Sequence, residues 1–212
     1  MPLYKTIKPN IHTTIFVWKI EESFDELTDN IRLTKSSKKR VLSMKSELHQ
    51  RGFLSVRHLL KEAGYSDFDL YYTENGKPHL NDKKYISITH SFTFSALIIS
   101  DKEAGIDIEK NREKIKIIQH KFVNFERGFI NKDDDDIAQL TVIWGAKESL
   151  YKIYPFGGLT FKNDIDIHPF KIANKKTTGF IKVKDWDKKY DIRFEQLEDF
   201  TLVYALDPSE NN

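Results

Sequence analysis

The chain has 212 residues and a formal net charge of +2, because 34 Lys and Arg side chains nearly balance 32 Asp and Glu side chains. A balance this even predicts neither strong nucleic-acid binding nor membrane binding. The absence of cysteine excludes disulfides, thiolate metal sites and a cysteine nucleophile. The first thirty residues contain no apolar signal segment, and no apolar run approaches the roughly 18 residues of a membrane span. We therefore expect a cytoplasmic protein.

The first half of the chain predicts helices followed by strands. In chain order, the predicted elements are a strand at 13–20, a weak helix at 23–33, a long helix at 36–63, a turn at 75–78, and strands at 85–89 and 94–100. Gly64 is well placed to end the long helix. A short break around His90 and Ser91 separates the last two strands.

The second half repeats this order. Its predicted elements are a strand at 105–110, helices at 113–125 and 137–154, and strands at 165–167, 179–183, 190–194 and 200–206. The acidic run 133–136 favours a helix N-terminus over a metal site. Because each half has helices followed by strands, the order of elements indicates an α+β fold with mostly antiparallel sheets. We expect an N-terminal half at 1–103 and a C-terminal half at 104–212 that carries the candidate metal site.

The strand Gly105-Ile106-Asp107-Ile108-Glu109 places two carboxylates on one face. Alternation along a strand points Asp107 and Glu109 the same way and the two isoleucines the other way. Such a pair is commonly the solvated side of an edge strand. Both flanks are apolar, however, and the preceding glycine permits close backbone approach. Both interpretations, a solvated edge and a ligand pair, stay open at this point.

The helix at 137–154 carries a column of chemically useful side chains. Residues four apart share a helix face, so Trp144, Glu148 and Lys152 line up. Glu148 and Lys152 could simply form a helix salt bridge, and the same holds for Lys147. If this helix lies beside the 105–109 strand, three carboxylates converge next to an ammonium. That arrangement suits a hard divalent cation and a phosphate-bearing substrate.

Several polar residues of the first half are weaker candidates. Lys77, in the Gly-Lys-Pro turn, offers a cation suited to a phosphate. His90 lies in the predicted break, where it is either a ligand contact or a structural hydrogen-bonding group. The basic stretch 35–40, with Arg51 beyond it, has the alternative interpretation of a solvated helix face.

Taken together and in order, these motifs resemble a known family. They are Gly-Lys-Pro at 76–78, Ser-Ile-Thr-His-Ser at 87–91, Gly-Ile-Asp-Ile-Glu at 105–109, and Trp-x-x-Lys-Glu-Ser-x-x-Lys at 144–152. The sequence resembles the 4′-phosphopantetheinyl transferase superfamily, specifically its Sfp-type branch, and the last two motifs are the most specific. Thr89 stands where the family often has serine, and Phe92 replaces a small residue.

The resemblance implies a fold, an activity and partners. The fold would be a pseudo-dimer of two similar α+β halves, with coenzyme A bound in the cleft between them. The activity would be magnesium-dependent transfer of the 4′-phosphopantetheine arm of coenzyme A to a serine of an apo acyl or peptidyl carrier protein, releasing adenosine 3′,5′-bisphosphate. This is the reaction of a holo-[acyl-carrier-protein] synthase type transferase, and a monomer is expected.

By the same resemblance, Asp107, Glu109 and Glu148 would hold magnesium on the pyrophosphate. Glu148 would also be the general base on the serine, directly or through a metal-bound water, and Lys152 would stabilise the leaving phosphate. Lys147 would contribute to the site or only support the helix.

The resemblance also assigns the coenzyme A contacts. Lys77 and Pro78 would lie at its adenine–ribose end. His90 and Arg51 would contact its 3′-phosphate.

Two other classes of function remain open. One is a different magnesium-dependent phosphoesterase with the same Asp-x-Glu and Glu constellation. The other is a non-catalytic coenzyme A or carrier-protein binding module. Fatty acid, polyketide, nonribosomal peptide and pigment pathways all remain open for the carrier.

Overall fold

The structure, a computed structural model, describes residues 3–130 and 136–208. The chain divides into two compact units, Met1–Asp101 and Lys102–Asn212. The predicted division into an N-terminal domain at 1–103 and a C-terminal domain at 104–212 stays a prediction. Within the described residues every paired strand is antiparallel. The α+β class with antiparallel sheets is therefore confirmed.

The first unit contains a four-stranded sheet and a small hairpin. The sheet has the order β1-β2-β6-β5, and β3 pairs with β4. The strands are β1 (Leu3–Asn10), β2 (Thr13–Lys19), β3 (Leu70–Tyr72), β4 (Pro78–Leu80), β5 (Tyr85–Ser91) and β6 (Phe94–Ser100). The sequence analysis did not predict β1. It is an edge strand with no buried residue, so its core-facing pattern is weak.

Two helical predictions in this unit are wrong in extent. The weak helix at 23–33 is the short α1 (Phe24–Thr28), closed at its start by a capping box. The long helix at 36–63 is two helices, α2 (Lys35–Ser43) and α3 (Glu47–Glu62). The chain turns extended at Met44, where the side-chain amide of Gln50 donates to the Val41 and Met44 carbonyls at 3.2 and 3.1 Å. These bonds satisfy carbonyls that a continuous helix would pair internally.

The second unit contains a five-stranded sheet of order β7-β11-β10-β9-β8. Its strands are β7 (Ala104–Lys110), β8 (Ile165–Ile167), β9 (Lys176–Val183), β10 (Trp186–Leu197) and β11 (Phe200–Leu206). The predicted helix at 113–125 is shorter than expected. It consists of α4 (Lys114–Ile118) followed by 3-10 turns at Gln119–Lys121 and Phe125–Gly128.

The long helix α5 (Asp136–Ile153) packs on this sheet through its apolar side chains. Asp136 lies in its first turn and pairs with Lys116 at 2.9 Å, as the helix dipole favours for an acidic residue. The rest of the predicted acidic run, 133–135, lies outside the described residues. Among the described residues, no helix is long and apolar enough to cross a membrane.

Candidate active site

Two glycines bring α5 close to β7. A methyl group on Gly105 would overlap with the backbone oxygen of Ser149 on α5. A methyl group on Gly145 would lie 2.8 Å from Val203 Cγ2 and 3.6 Å from Asp107 Oδ2. Val203 is the β11 residue opposite Asp107, so both side chains lie on the face that α5 covers. The glycines therefore let the helix approach the strand face that carries Asp107.

Asp107 is buried although β7 is an edge strand of its sheet. Only 5% of the residue is exposed, and its Oδ1 lies 2.8 Å from the ammonium of Lys152. The interpretation of Asp107 as a solvated edge residue is therefore wrong. A buried carboxylate requires a partner, and the helix supplies one.

Lys152 joins the helix to the strand. Its Nζ donates to Asp107 Oδ1 and to the Ile106 carbonyl, both at 2.8 Å. The ion pair of Lys152 therefore crosses from α5 to β7, rather than running along the helix to Glu148. The side chain is 27% exposed. An ammonium has three N–H donors, so these two bonds leave one for another acceptor.

Glu148 is half-buried on α5, one turn before Lys152. The pKa of Glu148 is raised to about 7, chiefly by burial and then by the negative charges of Asp107 and Glu109, whereas the charge of Lys152 opposes the shift. Electrostatic influence of this kind requires proximity. In the second unit Asp107 and Lys152 are thus in contact, and Glu148 lies within electrostatic range of Asp107, Glu109 and Lys152.

The three carboxylates among these residues, Asp107, Glu109 and Glu148, fit a magnesium ion by donor type and charge. The carboxylates of Asp107 and Glu109 act on Glu148 within electrostatic range, and oxygen ligands are those that Mg²⁺ prefers. Within residues 3–130 and 136–208, however, no three His, Asp or Glu side chains are already grouped as metal ligands. The chemistry of the donor set therefore fits the ion, whereas a ready-made ligand cage is not present in the described part of the chain.

Lys147, the neighbour of Glu148 in sequence, belongs to a different region. Its side chain is fully buried, and its ammonium contacts Glu126 Oε1 at 2.7 Å and the carbonyls of Phe122 and Phe161 at 2.7 and 2.8 Å. These three acceptors use all its donors. Burial lowers the pKa of Lys147, and the charge of Glu126 opposes that shift. Lys147 therefore supports the fold around α5.

The role of Glu126 is not apparent from the sequence. The residue is fully buried, and its carboxylate also accepts from the backbone N–H of Ile167 at 3.0 Å and of Asn124 at 3.1 Å. A single glutamate in the mixed segment 122–130 gives no periodic signal. Only the buried ammonium of Lys147 reveals its role.

His90 lies on β5, in the first unit, and not in a loop as predicted. The turn between β5 and β6 comes two residues later, at Phe92, which has a φ of 50°. The imidazole lies against α3, because a methyl group on Gly52 would be 2.9 Å from its Nδ1. Arg51, next along α3, donates to the Ile20 carbonyl at 3.3 Å. His90 and the α3 backbone beside Arg51 are therefore close together.

Lys77 and Pro78 lie on the β3–β4 hairpin of the first unit. The Lys77 carbonyl accepts from the Thr73 N–H at 3.0 Å, and the Lys77 N–H donates to the Thr73 hydroxyl at 3.2 Å. Pro78 pairs with Tyr72, whose ring centroid lies 5.4 Å from the Arg40 guanidinium. The turn is thus held in one shape, with a second cation nearby.

Comparison with known proteins points to one family for the second unit. Residues 103–205 match the family model of the 4′-phosphopantetheinyl transferase superfamily. This segment contains both β7 and α5, and hence the four clustered residues of the candidate site. No protein of curated function matches the chain.

Among solved structures, the chain is similar to the crystal structure of Thermotoga maritima holo-[acyl-carrier-protein] synthase (AcpS). The two are 22% identical, and the match covers 54% of this chain and 76% of that one. The TM-score is 0.32.

Proposed function

We propose that this chain is a 4′-phosphopantetheinyl transferase of the Sfp type, which moves the phosphopantetheine arm of coenzyme A to a serine of an apo carrier protein. One observation carries the proposal. In the segment that matches the family model, the charges of Asp107, Glu109 and Lys152 all act on Glu148, and this supports the proposal. The motifs in the first unit support it.

The reaction exchanges one phosphorus–oxygen bond for another. The serine hydroxyl attacks the phosphorus that bears pantetheine, the pyrophosphate bond breaks, and adenosine 3′,5′-bisphosphate leaves. The serine proton must be taken up during attack, and Glu148 is the proposed acceptor. A carboxylate at a metal ion is a weak base by its pKa, so the proton transfer must be concerted with the attack of the serine oxygen.

Lys152 is proposed to stabilise the departing phosphate. Charge on the leaving oxygen grows in the transition state, and a fixed ammonium stabilises that charge most where water is partly excluded. The bonds to Asp107 and Ile106 hold the ammonium in place and leave one donor for the substrate. Asp107 thus orients the lysine as well as contributing negative charge.

Asp107, Glu109 and Glu148 are the proposed ligands of a magnesium ion. When bound, this ion would neutralise the charge of the pyrophosphate. The excess of negative charge among these side chains would itself be offset by a divalent cation.

Four residues of the first unit are proposed as coenzyme A contacts. Lys77 and Pro78 would contact the adenine–ribose end, and their hairpin offers a rigid turn with a cation. His90 and Arg51 would contact the 3′-phosphate, to which both can donate charge-assisted hydrogen bonds.

The proposal is tested by incubating the protein with coenzyme A, magnesium and a panel of apo carrier proteins, and weighing the products by mass spectrometry. We expect one carrier to gain a phosphopantetheine arm. Glu148→Gln is the matched control and should modify the carrier at least about 10²-fold more slowly. Hydrolysis of coenzyme A without a carrier would instead identify a phosphoesterase. Binding of coenzyme A or a carrier without turnover would identify a binding module.

A further inference from the structure

Gly52 lies inside helix α3 (Glu47–Glu62), where the backbone gives no reason for a glycine. The described glycines with positive φ are Gly64, Gly76, Gly157 and Gly158, whereas Gly52 is helical. After proline, glycine is the least favourable residue in a helix interior. Packing rather than backbone conformation therefore explains this glycine, which is also buried.

The close contact of Gly52 is with the imidazole of His90 on β5. A methyl group at position 52 would lie 2.9 Å from Nδ1, 3.1 Å from Cγ and 3.3 Å from Cε1 of this ring. These are the three nearest heavy atoms outside the local helix backbone, and a methyl carbon does not approach another heavy atom to less than 3.0 Å. Even an alanine side chain would therefore take space that the imidazole occupies.

Helix α3 is held against the sheet at this point. The Ser55 hydroxyl lies 2.8 Å from the Gly52 carbonyl and 2.8 Å from the Ser95 hydroxyl, and both serines are fully buried. Ser95 is the β6 residue that pairs with His90. The hydroxyl contact therefore fixes the spacing of α3 and β6, and strand pairing fixes the backbone of His90. A methyl group at position 52 would displace the imidazole rather than the helix.

A buried donor of a cationic side chain lies at the same turn of α3. The Nε of Arg51 is buried and has no hydrogen-bond partner among the described residues, while Nη2 donates to the Ile20 carbonyl at 3.3 Å. An unpaired buried donor costs free energy, and the cost is higher for a charged group. An anion would supply the acceptor, and Arg51 is next to Gly52 in the chain.

We propose that Gly52 is a positioning residue, which holds the His90 imidazole beside this turn for a phosphate group and so sets the preference for a nucleotide with a 3′-phosphate. The inference rests on the proposed function for the identity of the nucleotide. It adds that the preference depends on the missing side chain at position 52, because only glycine leaves room for the imidazole at this place. Gly52 would act through His90.

The test compares the binding of adenosine 3′,5′-bisphosphate and adenosine 5′-monophosphate by calorimetry, which requires no transfer activity. The variants are Gly52→Ala, His90→Ala and the double variant Gly52→Ala/His90→Ala. Gly128→Ala is the matched control, because a methyl group on Gly128 would meet no heavy atom within 4 Å. Thermal melting of each variant reports its folding.

The wild-type protein and Gly128→Ala should bind the bisphosphate at least about tenfold more tightly than the monophosphate, as expected for a charge-assisted hydrogen bond to the 3′-phosphate. Gly52→Ala should reduce this preference to about threefold or less, and should leave the affinity for the monophosphate within about twofold of the wild-type value.

The double variant separates displacement of the imidazole from general damage to α3. When residue 90 is already alanine, a methyl group at position 52 has no ring to displace, so the second substitution should leave the nucleotide preference unchanged. It should also raise the melting temperature, since alanine is the better helix former. The same substitution should stabilise the protein less when the imidazole of His90 is present.

The outcomes separate this inference from the proposed function. If the wild-type protein binds both nucleotides equally, the 3′-phosphate contacts of the proposed function are wrong, and this inference is wrong with them. If the wild-type protein prefers the bisphosphate and Gly52→Ala keeps that preference, only the positioning role of Gly52 is wrong. An effect of the same size in the His90→Ala background would also overturn that role, because the effect would then not depend on the imidazole.

Discussion

Lys147 and Lys152 lie on the same helix, five residues apart, and have opposite surroundings. Lys147 is fully buried and gives its three hydrogen bonds to Glu126 and two backbone carbonyls. Lys152 is partly exposed and gives two bonds, to Asp107 and the Ile106 carbonyl. Glu126 is the carboxylate paired with the first lysine, whereas the second lysine is paired with Asp107 and also acts electrostatically on Glu148.

The comparison of these two lysines distinguishes a charge that only supports the fold from a charge that is available for chemistry. In the Glu126–Lys147 region, charge and hydrogen bonds are both satisfied, so a substrate has nothing to bind. In the region of Asp107, Glu109, Glu148 and Lys152, negative charge is in excess and the pKa of Glu148 is strongly raised. Such perturbation is typical of functional sites.

The largest expected effect is the difference in the free energy of unfolding between the Lys147→Ala and Lys152→Ala variants. Lys147→Ala leaves the Glu126 carboxylate buried without its ammonium, and should lower the free energy of unfolding by about 3–5 kcal/mol. Lys152→Ala should lower it by less than Lys147→Ala does, because this ammonium is 27% exposed, although the buried Asp107 carboxylate loses its ion-pair partner. Urea unfolding measures both values. The double variant Glu126→Leu/Lys147→Met should recover much of the loss, and equal losses for the two lysines would remove the contrast.

Glu148→Gln should reduce transfer by at least about 10²-fold, because the side chain keeps its size but loses the base. Binding of coenzyme A should remain measurable by calorimetry. Lys152→Ala should slow transfer as well, without abolishing magnesium binding, since a cation is not a ligand. A fully active Glu148→Gln protein would show that the base lies elsewhere. Wild-type turnover by Lys152→Ala would reduce that lysine to a structural contact.

Magnesium should raise the free energy of unfolding by binding the carboxylates of the candidate site, Asp107, Glu109 and Glu148. At a concentration ten times its dissociation constant, a bound ion raises the free energy of unfolding by about 1.4 kcal/mol. Thermal melting should show this gain for the wild-type protein and not for Asp107→Ala or Glu109→Ala, which should also lose transfer. Asp166→Ala, which removes a carboxylate paired with Lys182, is the control and should keep the gain. An unfolded Asp107→Ala protein would make that residue structural instead.

The smallest effect concerns pH in the absence of magnesium. The pKa of Glu148 is about 7 in the folded chain against an ordinary value of 4.5, so the folded state holds a proton that the unfolded state releases. The free energy of unfolding should therefore fall as the pH rises from about 4.5 to about 7, and level off above. Solvent screening keeps this change to about 1 kcal/mol or less.

Glu148→Gln is the control for this pH effect, since glutamine resembles the protonated acid at every pH. It should be more stable than the wild-type protein at pH 8 and equal to it at pH 4. Thermal melting measures the stability difference between the two proteins across this pH range. A difference that stays constant with pH would contradict the raised pKa of Glu148.

The elements predicted from sequence held where local patterning is strong. The strands beginning at Thr13, Phe94 and Phe200 were predicted from β-branched and aromatic runs, and the structure has strands there. The helix at 36–63 failed because its hydrophobic period continues through Leu42 and Leu48, which are both exposed. Periodicity along the chain does not detect the extended backbone at Met44, where the side-chain amide of Gln50 donates to the Met44 carbonyl.

The sequence by itself determined which side chains share a face. Strand alternation puts Asp107 with Glu109, and helical period puts Glu148 with Lys152, because both periods are properties of the local backbone. The hydrogen-bond and ion-pair partners of Lys147 and Lys152, by contrast, depend on tertiary packing. Lys152 bonds to Asp107, 45 positions away in sequence, and Lys147 bonds to Glu126 rather than to anything on its own helix. Close packing at Gly105 and Gly145 sets the first pairing, and burial sets the second, because an ammonium removed from water requires a carboxylate and carbonyls within hydrogen-bond distance.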